Sequence, residues 1–192
     1  MSIQTRRLLG TSLLLTSLMF GASQALAEVV LHRGNSGEPQ TLDQANTSID
    51  IEAFILKDLY EGLTIYDAKG EIVPGAAESW TISDDGTVYT FKIRENAKWS
   101  DGSPVTAEDF VFSIQRVQNP ETAAKYANIL YPIKNAEKAN KGEAKLEEIG
   151  VKAVDAKTLE ITLERATPFF LELLAHQTAL PVSKASLEEN GK

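Results

Sequence analysis

The sequence predicts a mixed α/β protein, of the α+β kind, whose middle region is rich in antiparallel strands. Segments 78–83 and 88–93 alternate apolar and polar residues, which is typical of half-buried strands. Apolar residues recur at helical spacing in 51–59 and in 110–117. Strands in hairpins, combined with capped helices, therefore indicate a single mixed architecture.

Residues 1–27 have the composition of a secretory signal peptide. Arg6 and Arg7 supply the positive charge, and the apolar run LLGTSLLLTSLMFGA follows them. Ala25 and Ala27 place small residues at the two positions that the signal peptidase recognises. An uncleaved membrane anchor is the alternative, but threonine and serine residues interrupt the run. We therefore expect cleavage after Ala27 and export to the periplasm.

The exported chain is expected to begin with a short strand, EVVLHRG, which a turn-forming segment follows. Ser48 or Asp50 can cap the next element, a helix that runs to about Leu59. Four apolar residues are predicted to form the buried face of this helix: Ile51, Phe54, Ile55 and Leu59.

Three hairpins are predicted after this helix. The segment LTIYD meets AKGEIV across Lys69–Gly70, and ESWTIS meets VYTFKI across the turn 84–87. The third hairpin, GVKAVDAKTLEITL, turns at Asp155–Lys157. Trp80 lies in an alternating strand, which favours a place in the core over a role in stacking on a ligand.

The longest predicted helix follows a turn at Asp101-Gly102. Thr106 can cap it, because an acidic residue, Asp109, stands three positions later. Asn119-Pro120 ends it. We expect its apolar stripe to pack against the strands. The stripe comprises Phe110, Val111, Ile114 and Val117. Further helices are predicted over 121–130 and from Pro168, and 136–148 is expected to be exposed.

Composition and missing motifs argue against several classes of function. The chain carries 27 acidic and 19 basic residues, and this negative balance opposes binding to nucleic acid. The absence of cysteine excludes disulfides and a cysteine-linked lipid anchor. His32 and His176 are far apart, and no zinc, nucleophile-elbow or phosphate-loop motif is present. We therefore expect no metal and no cofactor, and an enzyme is the remotest of the alternatives.

The stretch PGAAESWTISDDGTVYTFKIRENAKWSDGSPVTAEDFVFSIQRV resembles the characteristic region of extracellular solute-binding proteins of family 5, the peptide/nickel group. The segments TLDQ, DLYEGLTIYDAKG, AKYANIL, LEEIGVKAVDAKTLEITLERATPFF and ALPVSKA extend this resemblance over nearly all of 28–192. Within the group, the chain most resembles the periplasmic oligopeptide-binding proteins of ABC importers. The order of these motifs is specific to the group and much less specific for the ligand.

The resemblance implies a periplasmic-binding-protein-like fold of type II, in which two lobes close around a peptide. Segment 28–48 would begin a discontinuous subdomain of the first lobe, and 146–192 would return to it. Segment 49–145 would form the β-rich second subdomain. Because members of the family are much longer, we expect an N-terminal fragment with an incomplete first lobe. The full-length protein is expected to be a monomer.

The resemblance also implies a ligand site. Peptides in this family bind as extended strands through main-chain hydrogen bonds, and Ser48, Ile49 and Asp50 match the segment that lines the peptide. Tyr126 matches an aromatic residue of the pocket, although a tyrosine of the core or of a helix surface fits equally well. Gln44 replaces the proline of the commoner SLDP motif, so a looser approach to Ser48 is expected.

The implied function is to bind oligopeptides in the periplasm and to deliver them to an ABC permease of the inner membrane. The residues of the second lobe are absent, so the fragment is not expected to bind peptide alone. Within the family, the alternative ligands are dipeptides, murein peptides and nickel. Outside this function, the alternative is a truncated remnant or an interaction module.

Overall fold

The structure, a computed structural model, describes residues 30–189. Of these, residues 35–189 belong to one compact unit. The predicted signal peptide, 1–27, lies outside the described residues. Residues 30–34, in the other unit, have no regular secondary structure, so the predicted strand EVVLHRG is wrong over the part that is described. A strand requires a hydrogen-bonded neighbour, and none of the strands within 30–189 pairs with this segment.

Helices and strands combine in the predicted mixed α+β fold. The helices are α1 (Asp50–Leu59), α2 (Ala107–Gln118), α3 (Ala136–Asn140), α4 (Phe170–Leu174) and α5 (Lys184–Glu189). The strands are β1 (Thr64–Tyr66), β2 (Ile72–Pro74), β3 (Ala77–Ile82), β4 (Val88–Ile93), β5 (Val151–Asp155) and β6 (Thr158–Thr162). Short 3₁₀ turns occupy Pro120–Thr122, Ala127–Leu130, Leu146–Glu148 and Gln177–Ala179.

The strands form two antiparallel sheets, and all three predicted hairpins are confirmed. Strands β1 and β2 form a two-stranded sheet, while the larger sheet has the order β3-β4-β6-β5. Strands β4 and β6 pair across residue 145, so the two subdomains predicted for 49–145 and 146–192 share one sheet. The subdomain boundaries stay a prediction.

Helix α2 packs on β5 and β6 through the predicted stripe. Phe110 and Ile114 are buried, as expected, and the turn of the β5–β6 hairpin receives the first N–H of the helix, from Ala107 to Ala156 O. The predicted cap is also confirmed, because the Asp109 carboxylate accepts hydrogen bonds from the N–H and the hydroxyl group of Thr106, at 2.8 and 2.9 Å. The first turn of α2 is therefore fixed by its own cap and by a hydrogen bond to the β5–β6 hairpin.

Helix α1 exists where it was predicted, but the predicted buried face is wrong. Phe54 and Leu59 are 49% and 62% exposed, and the buried residues of the helix are Glu52, Ala53 and Leu56. The N-cap is Ile49 and not Ser48 or Asp50. The rotation of the helix follows from Glu52, whose buried carboxylate accepts hydrogen bonds from the loop that precedes the helix.

Three further expectations are corrected. The helix over 121–130 is replaced by two 3₁₀ turns, because Ala123 between them has a left-handed backbone with φ of 51°. Helix α4 starts at Phe170 after a turn at Pro168, and it buries Phe170 while Phe169 stays exposed. Segment 136–148 is not wholly exposed, since one face of α3 is buried.

An aromatic cluster anchors the later part of the chain on the sheet. Tyr89 lies 5.1 Å from Phe170, edge to face, and 6.2 Å from Phe91. Trp80 packs on Phe91 at 6.3 Å, which confirms its place against the core. Among the helices of the described range, none has both the length and the apolar character that a membrane crossing requires.

Candidate functional site

The four residues predicted to contact ligand are Ser48, Ile49, Asp50 and Tyr126, which we call the candidate wall. Ser48, Ile49 and Asp50 are exposed and lie where the chain enters α1. The Tyr126 hydroxyl donates a hydrogen bond of 3.3 Å to the Ser48 carbonyl oxygen, across 78 positions of sequence. Tertiary structure thus brings the two predicted parts of the site together.

The ring of Tyr126 rests against His176, with the ring centres 5.6 Å apart and the planes at 69°. His176 Nδ1 accepts a hydrogen bond from Thr178 N–H at 3.2 Å, which leaves the proton of the neutral ring on Nε2. Burial and the nearby charge of Lys57 both lower the pKa of His176. The imidazole beside the candidate wall is therefore neutral at neutral pH, and a histidine that the sequence left without a role lies next to the site.

The loop before the candidate wall is tied to α2 by a charged pair. Arg116 donates two hydrogen bonds to Asp43, from Nη1 to Oδ1 at 2.8 Å and from Nη2 to Oδ2 at 2.6 Å. Burial raises the pKa of Asp43, but hydrogen bonds and the charge of Arg116 outweigh burial and hold that pKa below its usual value. This bidentate geometry fixes the orientation of the Asp43 carboxylate relative to the Arg116 guanidinium group, as well as the distance between them.

Gln44 is fully buried beside this pair. Its Nε2 donates to Leu180 O at 3.4 Å, and its Oε1 accepts from Arg116 Nη1 at 3.2 Å. Side-chain hydrogen bonds thus restrain Gln44 where the commoner motif has a proline ring, and the looser approach to Ser48 stays a prediction.

Glu52 is the residue of this region that sequence reasoning missed. Its side chain is buried in α1, with a relative exposure of 1%. It accepts hydrogen bonds from the N–H groups of Gln40, Ser48 and Ile49, at 3.2, 2.8 and 3.3 Å. Burial raises the pKa of Glu52, and these hydrogen bonds lower it. The hydrogen bonds have the larger combined effect, so the pKa lies below its usual value. The available signal was an acidic residue three positions after the cap.

The arrangement determines which groups the candidate wall can offer. The N–H groups of Ser48 and Ile49 are already bound to Glu52. The Ser48 carbonyl accepts one long bond from Tyr126, and a carbonyl oxygen has two lone pairs. The exposed Asp50 carboxylate is a second acceptor, and the exposed Ser48 hydroxyl group can both donate and accept, so the wall offers groups of both kinds to a ligand.

The candidate wall lies apart from the main cleft in the described part of the chain. Within 30–189, no three acidic or histidine side chains cluster as a metal ion would require. A cleft of about 960 Å³ lies between the end of α1, β1, loop 97–101 and segment 180–189, and its lining includes none of the wall residues. The candidate wall is an open surface next to α1.

The family model for bacterial extracellular solute-binding proteins, family 5 Middle, matches residues 71–192, which is more than half of the chain. The chain belongs to this family. The match covers the larger sheet, α2 and α4, and includes Tyr126 and Arg116.

Relatives in the family extend the likeness to the candidate wall. The periplasmic oligopeptide-binding protein OppA of Escherichia coli is 40% identical over an alignment 200 residues long, which covers 98% of this chain and 37% of the relative. The periplasmic murein peptide-binding protein MppA of the same species is 45% identical over 153 residues, 79% of this chain and 28% of that protein. The chain thus spans about 37% or less of the length of these relatives.

A solved structure supports the predicted fold class. The Haemophilus influenzae OppA in complex with RPPGFSPFR superposes with a TM-score of 0.80 at 39% identity, over 82% of this chain and 31% of that one. The periplasmic-binding-protein-like fold and the family are therefore confirmed. The ligand-binding roles of Ser48, Ile49, Asp50 and Tyr126 stay predictions.

Proposed function

We propose that this chain is part of the substrate-binding component of an ABC importer and supplies one wall of a peptide-binding cleft in the periplasm. The observation that carries the proposal is the candidate wall, where Tyr126 and Ser48 meet beside the ordered entry to α1. Relatives named for oligopeptide binding, one of them solved with a bound peptide, support the same ligand class.

The chemistry of the wall suits binding rather than reaction. An extended peptide donates backbone N–H groups at alternate positions, and such pairing ignores side-chain identity. The Ser48 carbonyl can accept one of them. We infer that the protein binds its ligand without transforming it, passes it to an inner-membrane permease, has no nucleic-acid partner and is a monomer when full length. We also keep the division at 48/49 and 145/146 as a proposal for the longer protein.

Calorimetry with the peptide RPPGFSPFR tests the proposal. For residues 28–192 we expect no binding tighter than about millimolar, because one wall supplies few hydrogen bonds of about 0.5–1.5 kcal/mol each. Association costs roughly 4–15 kcal/mol in lost freedom, which so few bonds do not offset. We expect the complete product of the reading frame to bind about a thousandfold more tightly, in the micromolar range.

Two results would contradict this reasoning in different ways. Micromolar binding by 28–192 that Tyr126→Ala abolishes would show that the one wall is a complete site. Failure of the complete product to bind any of several unrelated peptides would refute the function itself. A stop codon directly after Lys192 would favour the remnant or interaction module.

A murein peptide is the second candidate ligand, and the identity of 45% with MppA favours testing it. Calorimetry with murein tripeptide, a dipeptide and nickel chloride on the same protein separates these ligands. Tighter binding of murein tripeptide than of RPPGFSPFR would assign the protein to that branch of the family.

Export is proposed from residues 1–27. Mass spectrometry of the periplasmic protein is expected to find Glu28 at the amino terminus, because small residues at Ala25 and Ala27 define the cleavage site. Intact Met1 in the membrane fraction would show an anchor in place of a signal peptide.

A further inference from the structure

We propose that Glu52 and the Asp43–Arg116 pair are positioning residues that hold the candidate wall in its ligand-facing shape before a ligand arrives. The inference rests on the proposed function, because it explains how this wall binds peptide. It adds three residues to which neither the family motifs nor the relatives' names give a role.

Glu52 closes the loop 40–49 upon itself. Oε1 accepts from Gln40 N–H at the start of the loop, and Oε2 accepts from Ser48 and Ile49 N–H at its end. A buried carboxylate is costly unless it is hydrogen-bonded, and bonds to a charged acceptor are stronger than neutral ones. If the N–H groups moved away, the buried carboxylate would lose its hydrogen bonds, which is unfavourable. The backbone of the candidate wall is therefore held in one conformation.

The Asp43–Arg116 pair fixes the middle of the same loop to the body of the protein. Besides Arg116, Asp43 accepts from Ala45 N–H at 3.2 Å and from the Asn46 side chain at 3.1 Å. Ala45 in turn accepts from Lys125 N–H at 3.0 Å, directly before Tyr126. The loop therefore carries Ser48 and Ile49, contacts the segment of Tyr126, and is itself tied to α2 through Arg116.

The functional consequence is preorganisation. A loop that is ordered in advance does not lose its freedom when the ligand binds, so more of the interaction energy appears as affinity. Glu52 also occupies the N–H groups of Ser48 and Ile49, which are therefore not available to a ligand.

The first experiment measures amide hydrogen exchange in the full chain carrying Glu52→Gln. A glutamine can accept on one side only, and its NH₂ then faces an N–H donor on the other. We expect exchange at Gln40, or at Ser48 and Ile49, to accelerate about tenfold or more, as for the loss of one charge-assisted bond. The matched control, Glu160→Gln, removes a carboxylate that pairs with Lys152 at 2.8 Å on the larger sheet, and it should leave the loop unchanged.

The second experiment measures binding of RPPGFSPFR to the complete protein. We expect the dissociation constant to rise at least about tenfold in Glu52→Gln while exchange in β4 and β6 stays as in the wild type. Arg116→Gln removes both the paired hydrogen bonds of the guanidinium group and its charge, whereas Arg116→Lys retains the charge. Affinity should therefore fall in the order wild type, Lys variant, Gln variant. This partial rescue is not expected if Arg116 only stabilises the fold.

Each outcome decides a separate point. Unchanged exchange at all three amides in Glu52→Gln would overturn the proposal, as would faster exchange with unchanged peptide affinity. If the wild type binds no peptide, the proposed function fails, but the exchange data still decide whether Glu52 holds the loop. If Glu52→Gln does not fold, the two Arg116 variants apply the same criteria to Ala45 and Asn46, whose groups bond to Asp43.

Discussion

Replacing Phe110 by alanine tests the packing of α2 on the sheet. Phe110 is 1% exposed, and it belongs to the set of large side chains that are completely enclosed by the core. It lies on the helix face that contacts β5 and β6. Truncation leaves a cavity that neither the sheet nor the helix can close by a small movement, because both are tied at the turn of the β5–β6 hairpin.

The expected loss of unfolding free energy in Phe110→Ala combines the cost of lost apolar burial with the cost of the cavity that remains. Burial of a phenylalanine side chain contributes about 1.5–3 kcal/mol by transfer from water, and an unfilled cavity brings the cost of truncation to about 3–5 kcal/mol. Phe112 supplies the matched control, since it stands on the same helix but is only half-buried, with Lys184 Nζ 5.9 Å from its ring centre. We expect Phe112→Ala to cost about 1 kcal/mol.

Urea unfolding, followed by tryptophan fluorescence and by circular dichroism, measures both variants on residues 28–192. The free energy of unfolding should fall by at least about 2 kcal/mol more in Phe110→Ala than in Phe112→Ala, with equal urea dependence. Equal costs, or a cost for Phe110→Ala within about 0.5 kcal/mol of zero, would mean that the phase of α2 is wrong.

Two further predictions use the same unfolding assay. Gly75→Ala should lower the free energy of unfolding by about 1–3 kcal/mol, because the added Cβ would lie 2.5 Å from Gly62 O. The control, Gly34→Ala, has open space around it and should leave the free energy of unfolding unchanged. Equal effects of the two substitutions would contradict the close approach at Gly75. Asp43 has a lowered pKa in the folded protein, so its contribution is present above the unfolded pKa of about 4 and is lost as pH falls through the folded value. Unfolding free energy between about pH 5 and 2 should therefore fall less steeply in Asp43→Asn than in the wild type, and parallel curves would refute this.

Elements with local signals could be predicted from the sequence. The β3–β4 and β5–β6 hairpins follow from period-two alternation around turn residues, and α2 follows from its stripe and its Thr106–Asp109 cap. These signals act between neighbours in the chain and do not need the rest of the fold. The ordered motifs also indicated the family, since each motif marks a turn, cap or strand of one architecture.

Helix α1 shows where local signals stop. Phe54 and Leu59 satisfy the apolar period, yet they are exposed, and a charged residue, Glu52, is buried instead. Period alone assigns the apolar face to the core. The observed rotation depends on three backbone N–H groups outside the helix that bind the Glu52 carboxylate. The capping pattern accounts for the bond to Ile49, but no local pattern reports the position of Gln40, 12 residues before Glu52.

What the sequence by itself determined about this protein is its three hairpins, the presence of α1 and α2, and the family. Only the tertiary structure decided that Tyr126 hydrogen-bonds to Ser48, 78 positions away, and that Arg116 hydrogen-bonds to Asp43, 73 positions away. Period, caps and turns act over a few residues and therefore leave a mark in the sequence. A contact between distant side chains depends on how whole elements pack against one core, and that packing is a property of the folded chain.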